Sequence, residues 1–296
     1  MFQIVSFDAG NGPVVGLRDG DNYYDSQTFG SARDIIDQWP LAEEKLVTAA
    51  ERMAGRSPHT GVKLLAPLAD PRNIYITGAN YTDHIEEMSR AFNLNLIEDA
   101  KNKGIPPWFL PKSVSSVVGP DAQVSIPKGV ECLDWEVELA VIIGREGKNV
   151  PVSEALDYVA GYTVANDLSA RDRMNRDYEA ADSAFRLDWL RHKSFDGSCP
   201  MGPAITPASF IKDVQNLAVK LWVNDELMQD SHTSKMIYGV ADLVSGLSEQ
   251  ISLKPGDVIL TGTPSGVGSA RQQFLKSGDR VRQSIDQIGE FEFTIR

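Results

Sequence analysis

The sequence predicts an α+β protein in two unequal units, a small α+β unit over residues 1–69 and a strand-rich unit over residues 70–296. Size is the first ground for this: 296 residues with 42% hydrophobic and 24% charged content suffice for one large core beside a smaller one. The second is a change of pattern, from a mixture of strand and helix periodicity to strands separated by Gly and Pro turns. The third is "LLAPLADPRNIYITGANY", where two prolines precede a fresh strand and set the boundary near Asp70.

In the first unit, "FQIVSF" and "PVVGLRDGDNYYD" read as strands, the second with an Asp-Gly turn. An amphipathic helical pattern follows in "SARDIIDQWPLAEEKLVTAAERMAG", interrupted by Pro40 and closed by Gly55. In the second unit, "VECLDWEVELAVIIG", "VAGYTVAND", "LAVKLWVNDEL" and "GDVILTGTP" read as strands, and "GDRVRQSIDQIGEFEFTI" as a terminal hairpin. The best helical candidates there are "SEALDYV" and "SKMIYGVADLVSGLSEQ".

The net charge of −12 opposes a nucleic-acid or anionic-membrane partner and leaves a small organic ligand. The chain has no run of about 18 apolar residues. Its start, "MFQIVSFDAGNG", lacks the pattern of a signal peptide, so a cytoplasmic location is expected. Cys132 and Cys199 lack CxxC spacing and read as free thiols of a reducing compartment.

The chemistry concentrates in five stretches. In "DWEVELAVIIG" alternation places Asp134, Glu136 and Glu138 on one face of a strand. Neighbours on such a face are roughly 6.5 to 7 Å apart and repel by about 2.5 kcal/mol at an effective dielectric near 20. The continuous apolar run after them marks a buried strand, so the acidic face requires a cation, a basic partner or protons. "GYTVANDLSARD" adds Asp167, which either caps a turn or joins Glu136 and Glu138 around a hard divalent ion, magnesium or manganese rather than zinc. In "GANYTDHIEEM", Thr82 or Asp83 is the expected helix N-cap. His84 and Glu87 then share a face, either as surface residues or as a base and its orienting carboxylate. "HKSFDGSCPMGP" leaves Lys193 either a solvated surface lysine or, among Phe195, Cys199 and Met201, part of a partly buried loop facing developing negative charge, and "ILTGTPSGVG" offers backbone N–H groups and Thr263 to an anion or forms a plain turn.

Taken in order, "NYTDHIEEM", "DWEVELAVIIG", "GYTVANDLSARD", "KSFDGSCPMGP" and "ILTGTPSGVG" resemble the fumarylacetoacetate hydrolase family from Asn73 to the C-terminus. The resemblance implies a mixed β-sandwich roll as catalytic domain, a homodimer, and Mg²⁺ or Mn²⁺ held by Glu136, Glu138 and Asp167, with Asp134 supporting them. It also implies His84 and Glu87 as a water-activating dyad on a mobile lid, with Lys193 as the third catalytic candidate. Tyr81, Arg171, Gly262 and Thr263 are the substrate-binding candidates.

The activity it implies is metal-dependent carbon–carbon hydrolysis of an acylpyruvate or related 2,4-dioxo acid. Decarboxylation of oxaloacetate-like acids and isomerisation of 2-hydroxydienedioates need the same chelation without attack by water. A catalytically silent metabolite-binding protein would be expected to lack a ligand or a dyad member, and none is missing. Two departures bear on the substrate. One is the long segment after the dyad, with "FLPKS" in place of the usual "FLKPS"; the other is the stretch from Arg171 to His192.

Overall fold

In the computed structural model, which describes residues 2–97 and 99–296, the apolar run Val137–Ile143 is a strand buried at every position. It pairs antiparallel with Val159–Asn166 on one side and Asp257–Leu260 on the other. These three lie inside an eleven-stranded sheet that continues through Cys199–Pro207 and Gln3–Asp8 in one direction and through Asn73–Thr77 and Phe109–Lys112 in the other. A five-stranded sheet packs against it, built from the hairpins Ala218–Val223/Glu226–His232 and Arg280–Ile285/Gly289–Ile295 with Gln123–Val124 at its edge. This mixed sheet architecture with few helices is the α+β class read from the sequence, and the terminal hairpin forms as expected.

Alternation along the central strand sorts its side chains between two cores. Val137, Leu139, Val141 and Ile143 join the core between the sheets, with Leu221, Val281, Phe293 and the Leu243, Val244 and Leu247 face of the helix Val240–Gln250. Ala140 and Ile142 join the opposite core, with Ile35 and Ile36 of the helix Ala32–Asp37, Leu46 of the helix Leu41–Glu51 and Trp39 between the two. By the same alternation Glu138 shares the face of Ala140 and Ile142, one step nearer the strand's start.

The segment before Asp70 keeps neither a sheet nor its main core to itself. Gln3–Asp8 pairs with Cys199–Pro207, Ile4 opposite Ile205. Ile4, Leu17, Ile35 and Ile36 share one cluster with Ile74, Ile142, Met201 and Leu260. The boundary near residue 70 therefore divides the sequence but not the packing.

Three local expectations are corrected. The regular strand begins only at Val137, because Leu133–Asp134 leaves to pair with Ser169–Ala170. Side-chain amides take over at the break: the Glu136 N–H donates to Asn166 Oδ1 (3.1 Å) and the Val137 N–H to Gln229 Oε1 (3.0 Å). "SEALDYV" closes i,i+3 turns, a 3₁₀ helix over Val152–Tyr158, and of the second helical candidate only Val240–Gln250 is α-helical. Helix Thr82–Phe92 has Tyr81 as its N-cap in place of Thr82 or Asp83. The Asp83 carboxylate instead accepts from Ser231 Oγ (2.6 Å) and Lys235 Nζ (3.1 Å), which ties the helix start to the smaller sheet. Among the described residues no helix is long and apolar enough to cross a membrane.

The shared core carries a testable consequence. Ile35→Ala is expected to cost about 2–4 kcal/mol and to leave a single calorimetric unfolding transition at lower temperature. Two separated transitions would show that residues 1–69 unfold on their own.

Candidate active site and metal centre

The break before Val137 turns Glu136 and Glu138 toward Asp167, which follows the last residue of the neighbouring strand. The Asp167 N–H donates to the Glu136 carbonyl (2.9 Å), and this pins the two elements together. One carboxylate oxygen from each of the three lies within 4.8 Å of the others, and all three residues are buried. At that separation each ionised pair repels by about 3.5 kcal/mol at an effective dielectric near 20. An all-carboxylate donor set of this size fits a hard divalent cation of the magnesium or manganese type.

Three side-chain cations stand against these acids. Lys193 Nζ bridges Glu136 Oε2 (2.5 Å) and Asp167 Oδ2 (2.6 Å). Lys112 Nζ pairs with Asp167 Oδ1 (2.8 Å) and donates to the Lys193 carbonyl. Arg171 spans Asp134 Oδ2 (2.8 Å) and Glu136. Asp134 has turned away from the cluster: its carboxylate accepts from the Gly268 N–H (2.6 Å) and the Ser269 N–H (3.0 Å) and so anchors Arg171. Burial works to lower the pKa of Lys193, but Asp167 and Glu136 overcome it and hold the ammonium above its ordinary range. Burial works to raise Glu136, and Lys193 and Arg171 pull it well below the usual carboxylate range instead.

Glu138 differs from its neighbours. Among the described residues it has no cationic partner, only the Gly262 N–H at 2.6 Å. Burial, reinforced by the charges of Asp167 and Glu136, pushes its carboxyl well above the ordinary range. Gly262 reaches this position at φ +91°, a region costly for residues with a Cβ, and a Cβ there would lie 2.9 Å from the Cβ of Asn80.

His84 lines the cavity over these acids, with its Nδ1 buried and unpartnered. Burial lowers its pKa first, Arg171 and Lys193 add to this, and Glu136 opposes. Glu87 lies one turn on, but its carboxylate accepts from the Gly266 N–H (2.8 Å), and burial raises its pKa. The structure places the two on one helix without a hydrogen bond between them.

The cavity holds about 130 Å³ and is walled by Trp108, Trp189, Leu110 and Met174. Among the described residues, none of four roomier surface clefts brings such a carboxylate cluster together. Arg171, Lys193 and Thr263 line the cavity, and Lys193 ends the short helix Trp189–Lys193 where a loop was expected. The polar groups of Thr263 and Gly262 are nonetheless committed within the protein. The Thr263 hydroxyl donates to the Val137 carbonyl (2.9 Å) and accepts from Gln229 Nε2 (2.9 Å), and the Gly262 N–H is taken by Glu138. Tyr81 is fully buried in the core between the sheets. Sequence reasoning missed Lys112, whose signal was a lysine inside the apolar "FLPKS" strand. It also missed Thr77 and His192, which line the cavity with an unpartnered Oγ1 and Nε2 and carry no motif signal.

Comparison with known proteins places these features in context. The profile described as "Fumarylacetoacetate (FAA) hydrolase C-terminal" matches residues 73–296. The mitochondrial oxaloacetate tautomerase of Xenopus laevis is 35% identical over 301 residues, covering 97% of this chain and 88% of that protein. Among solved structures, the fumarylacetoacetate hydrolase of Exiguobacterium antarcticum superposes with a TM-score of 0.77 at 29% identity, over 100% of this chain and 99% of that one. The maleylpyruvate hydrolase of Sphingobium sp. SYK-6, solved with manganese(II) and pyruvate, gives 0.76 at 29% identity over 99% and 98%.

The contrast between Glu136 and Glu138 predicts opposite costs for one change. Because its surroundings favour the neutral form, Glu138→Gln is expected to move metal-free stability by less than about 1 kcal/mol, whereas Glu136→Gln breaks buried ion pairs at a cost of about 3 kcal/mol. Both should weaken Mn²⁺ binding at least tenfold by calorimetry. Equal stability losses would show that Glu138 is ionised without metal. Because Glu138 must lose its proton to bind a cation, binding is expected to release protons and to tighten as pH rises. An enthalpy independent of buffer ionisation at pH 6 would contradict that linkage.

Proposed function

The chain belongs to the fumarylacetoacetate hydrolase family, and from that premise we propose that it interconverts the keto and enol forms of a short 2-oxo dicarboxylic acid of the oxaloacetate type. The observation that carries this reading is the separation of His84 from Glu87. A base that activates water wants an orienting carboxylate, and Glu87 is tied to the Gly266 N–H. A lone neutral imidazole suffices for proton transfer at carbon. The cavity supports the same reading, since it is small, about 130 Å³. That suits a four-carbon acid better than a long acylpyruvate with a nucleophilic water beside it. The similarity to an oxaloacetate tautomerase over nearly the whole chain agrees.

In this mechanism Glu136, Glu138 and Asp167 would hold the divalent cation, which when bound supplies a Lewis acid for the 2-oxo oxygen and the adjacent carboxylate. Arg171 and Lys193 oppose the negative charge that collects on the substrate oxygens. His84 takes a proton from the carbon beside the 2-oxo group, and the electron pair of that C–H bond becomes the enol double bond. The imidazolium then returns the proton to the enolate oxygen. Trp108, Trp189 and Leu110 exclude bulk water, which keeps the carbanion from random protonation.

Hydrolysis of an acylpyruvate is the second reading, favoured by the likeness to a maleylpyruvate hydrolase solved with manganese(II) and pyruvate. It requires Glu87 to leave Gly266 and reach His84. The two readings separate in one pair of assays with Mg²⁺ and with excess EDTA: loss of enol absorbance from oxaloacetate, and a proton NMR time course with acetylpyruvate. Tautomerisation predicts rapid enol–keto exchange and little acetate, whereas prompt metal-dependent acetate and pyruvate would favour hydrolysis. A protein inert in both assays that binds Mn²⁺ tightly would support the silent-binder reading.

His84→Gln is expected to lower turnover by about 10²–10⁴-fold, with Mn²⁺ affinity nearly unchanged. Because burial holds His84 below its ordinary pKa, the base stays neutral as pH falls, and the acid limb of the rate profile should lie below pH 6.5. A limb at or above 6.5 would remove His84 from the role of base.

A further inference from the structure

We infer that His192 sets specificity: its Nε2 accepts a hydrogen bond from a neutral hydroxyl or enol O–H of the ligand. The inference rests on the 2-oxo acid reading and adds a requirement to it, that the acid taken here carries such a donor.

The ring is fully buried and lines the cavity between Trp189 and Lys193. Its Nδ1 lies 2.9 Å from the Ala170 carbonyl oxygen. A carbonyl only accepts, so Nδ1 carries the proton. In a neutral imidazole the other nitrogen is then an acceptor, and here it is buried without any partner. Burial first, then the charges of Lys193 and Arg171, push the pKa of this imidazole down to about 3, so the ring is neutral at ordinary pH. The same two cations disfavour an ammonium as the missing donor and leave an uncharged O–H.

The acceptor is also held in place. His192 packs edge-on against Trp189 (5.7 Å between centroids), and Trp189 against Trp108 (5.2 Å). The His192 N–H donates to the Asp188 carbonyl (3.0 Å), and the Asp188 side chain caps the helix through the Arg191 N–H (3.2 Å) and pairs with Arg176 (3.1 Å). A buried acceptor fixed this firmly and left unpaired costs free energy that a ligand donor recovers. Nε2 is buried, and the cavity that His192 lines is the space from which a partner can reach it.

The test compares pyruvate with hydroxypyruvate, which differ by one hydroxyl, on Mn²⁺-loaded protein by calorimetry. The parent is expected to bind hydroxypyruvate about five- to tenfold more tightly. His192→Phe keeps the edge-on contact with Trp189 but removes the acceptor, and should bring the ratio to about one with pyruvate affinity within about twofold. His192→Gln, which restores an acceptor oxygen, should recover part of the preference. Equal binding by the parent overturns the inference however the variants fold, and so does a preference that survives in His192→Phe. If neither acid binds, the 2-oxo acid reading has failed and this inference falls with it; equal binding of both leaves that reading standing and removes His192 alone.

Discussion

Charge balance in a dry interior governs this molecule. Asp134, Glu136, Glu138 and Asp167 are buried together, and Lys112, Lys193 and Arg171 are the cations that face them. Three of the acids are paired. The fourth, Glu138, meets among the described residues only a backbone N–H, and burial with two neighbouring charges drives it toward its neutral form. An unpaired buried charge costs more than most single contacts contribute, so the fold must supply a cation or keep a proton at this position. The strand break, the Asn166 and Gln229 amides that bridge it and the positive φ of Gly262 all serve to bring these groups within reach of one another.

Much of this was legible from residue type and spacing. Alternation identified Glu136 and Glu138, and the β-branched run after them told that they were buried, because a strand apolar on both faces has no solvated side for them. Asp167 was legible because a strand ended in Asn-Asp. What alternation could not show is that the strand breaks before Val137, since the break depends on amide side chains 30 and 92 residues away. Asp134 therefore went with the acids in the pattern and to the Gly268 turn in space.

The His84–Glu87 pair teaches a similar lesson. Spacing of i,i+3 brings two side chains onto one helix face, but it says nothing about competitors from elsewhere in the fold. The Gly266 N–H, from a turn about 180 residues on, takes the Glu87 carboxylate. Lys112 and His192 were hidden for the opposite reason. Lys112 stands between Pro111 and Ser113 and His192 between Arg191 and Lys193, and only the tertiary fold shows that one meets Asp167 and the other borders the cavity. The segment before residue 70 was legible as strands and helices, yet its dependence on Ile74, Ile142 and Leu260 for a core could not be read from its own periodicity.

The same charge balance bears on what the cavity takes. A divalent ion on the acids adds two positive charges and, with Glu138 ionised, leaves the four carboxylates outweighed by one unit once Lys112, Lys193 and Arg171 are counted. Neutral His84 and His192 do not change that sum. The site then attracts an anion by charge alone, and charge alone does not tell one small carboxylate from another. Discrimination must come from groups whose demands are directional and uncharged. The cavity presents His192 Nε2 and Thr77 Oγ1 as such groups, both buried and both unpartnered. Long-range attraction and short-range selection are thus carried by different residues. On the reading proposed above, a substitution at His192 alters which acid is chosen, while the attraction for anions, set by the buried charges, stays as it is.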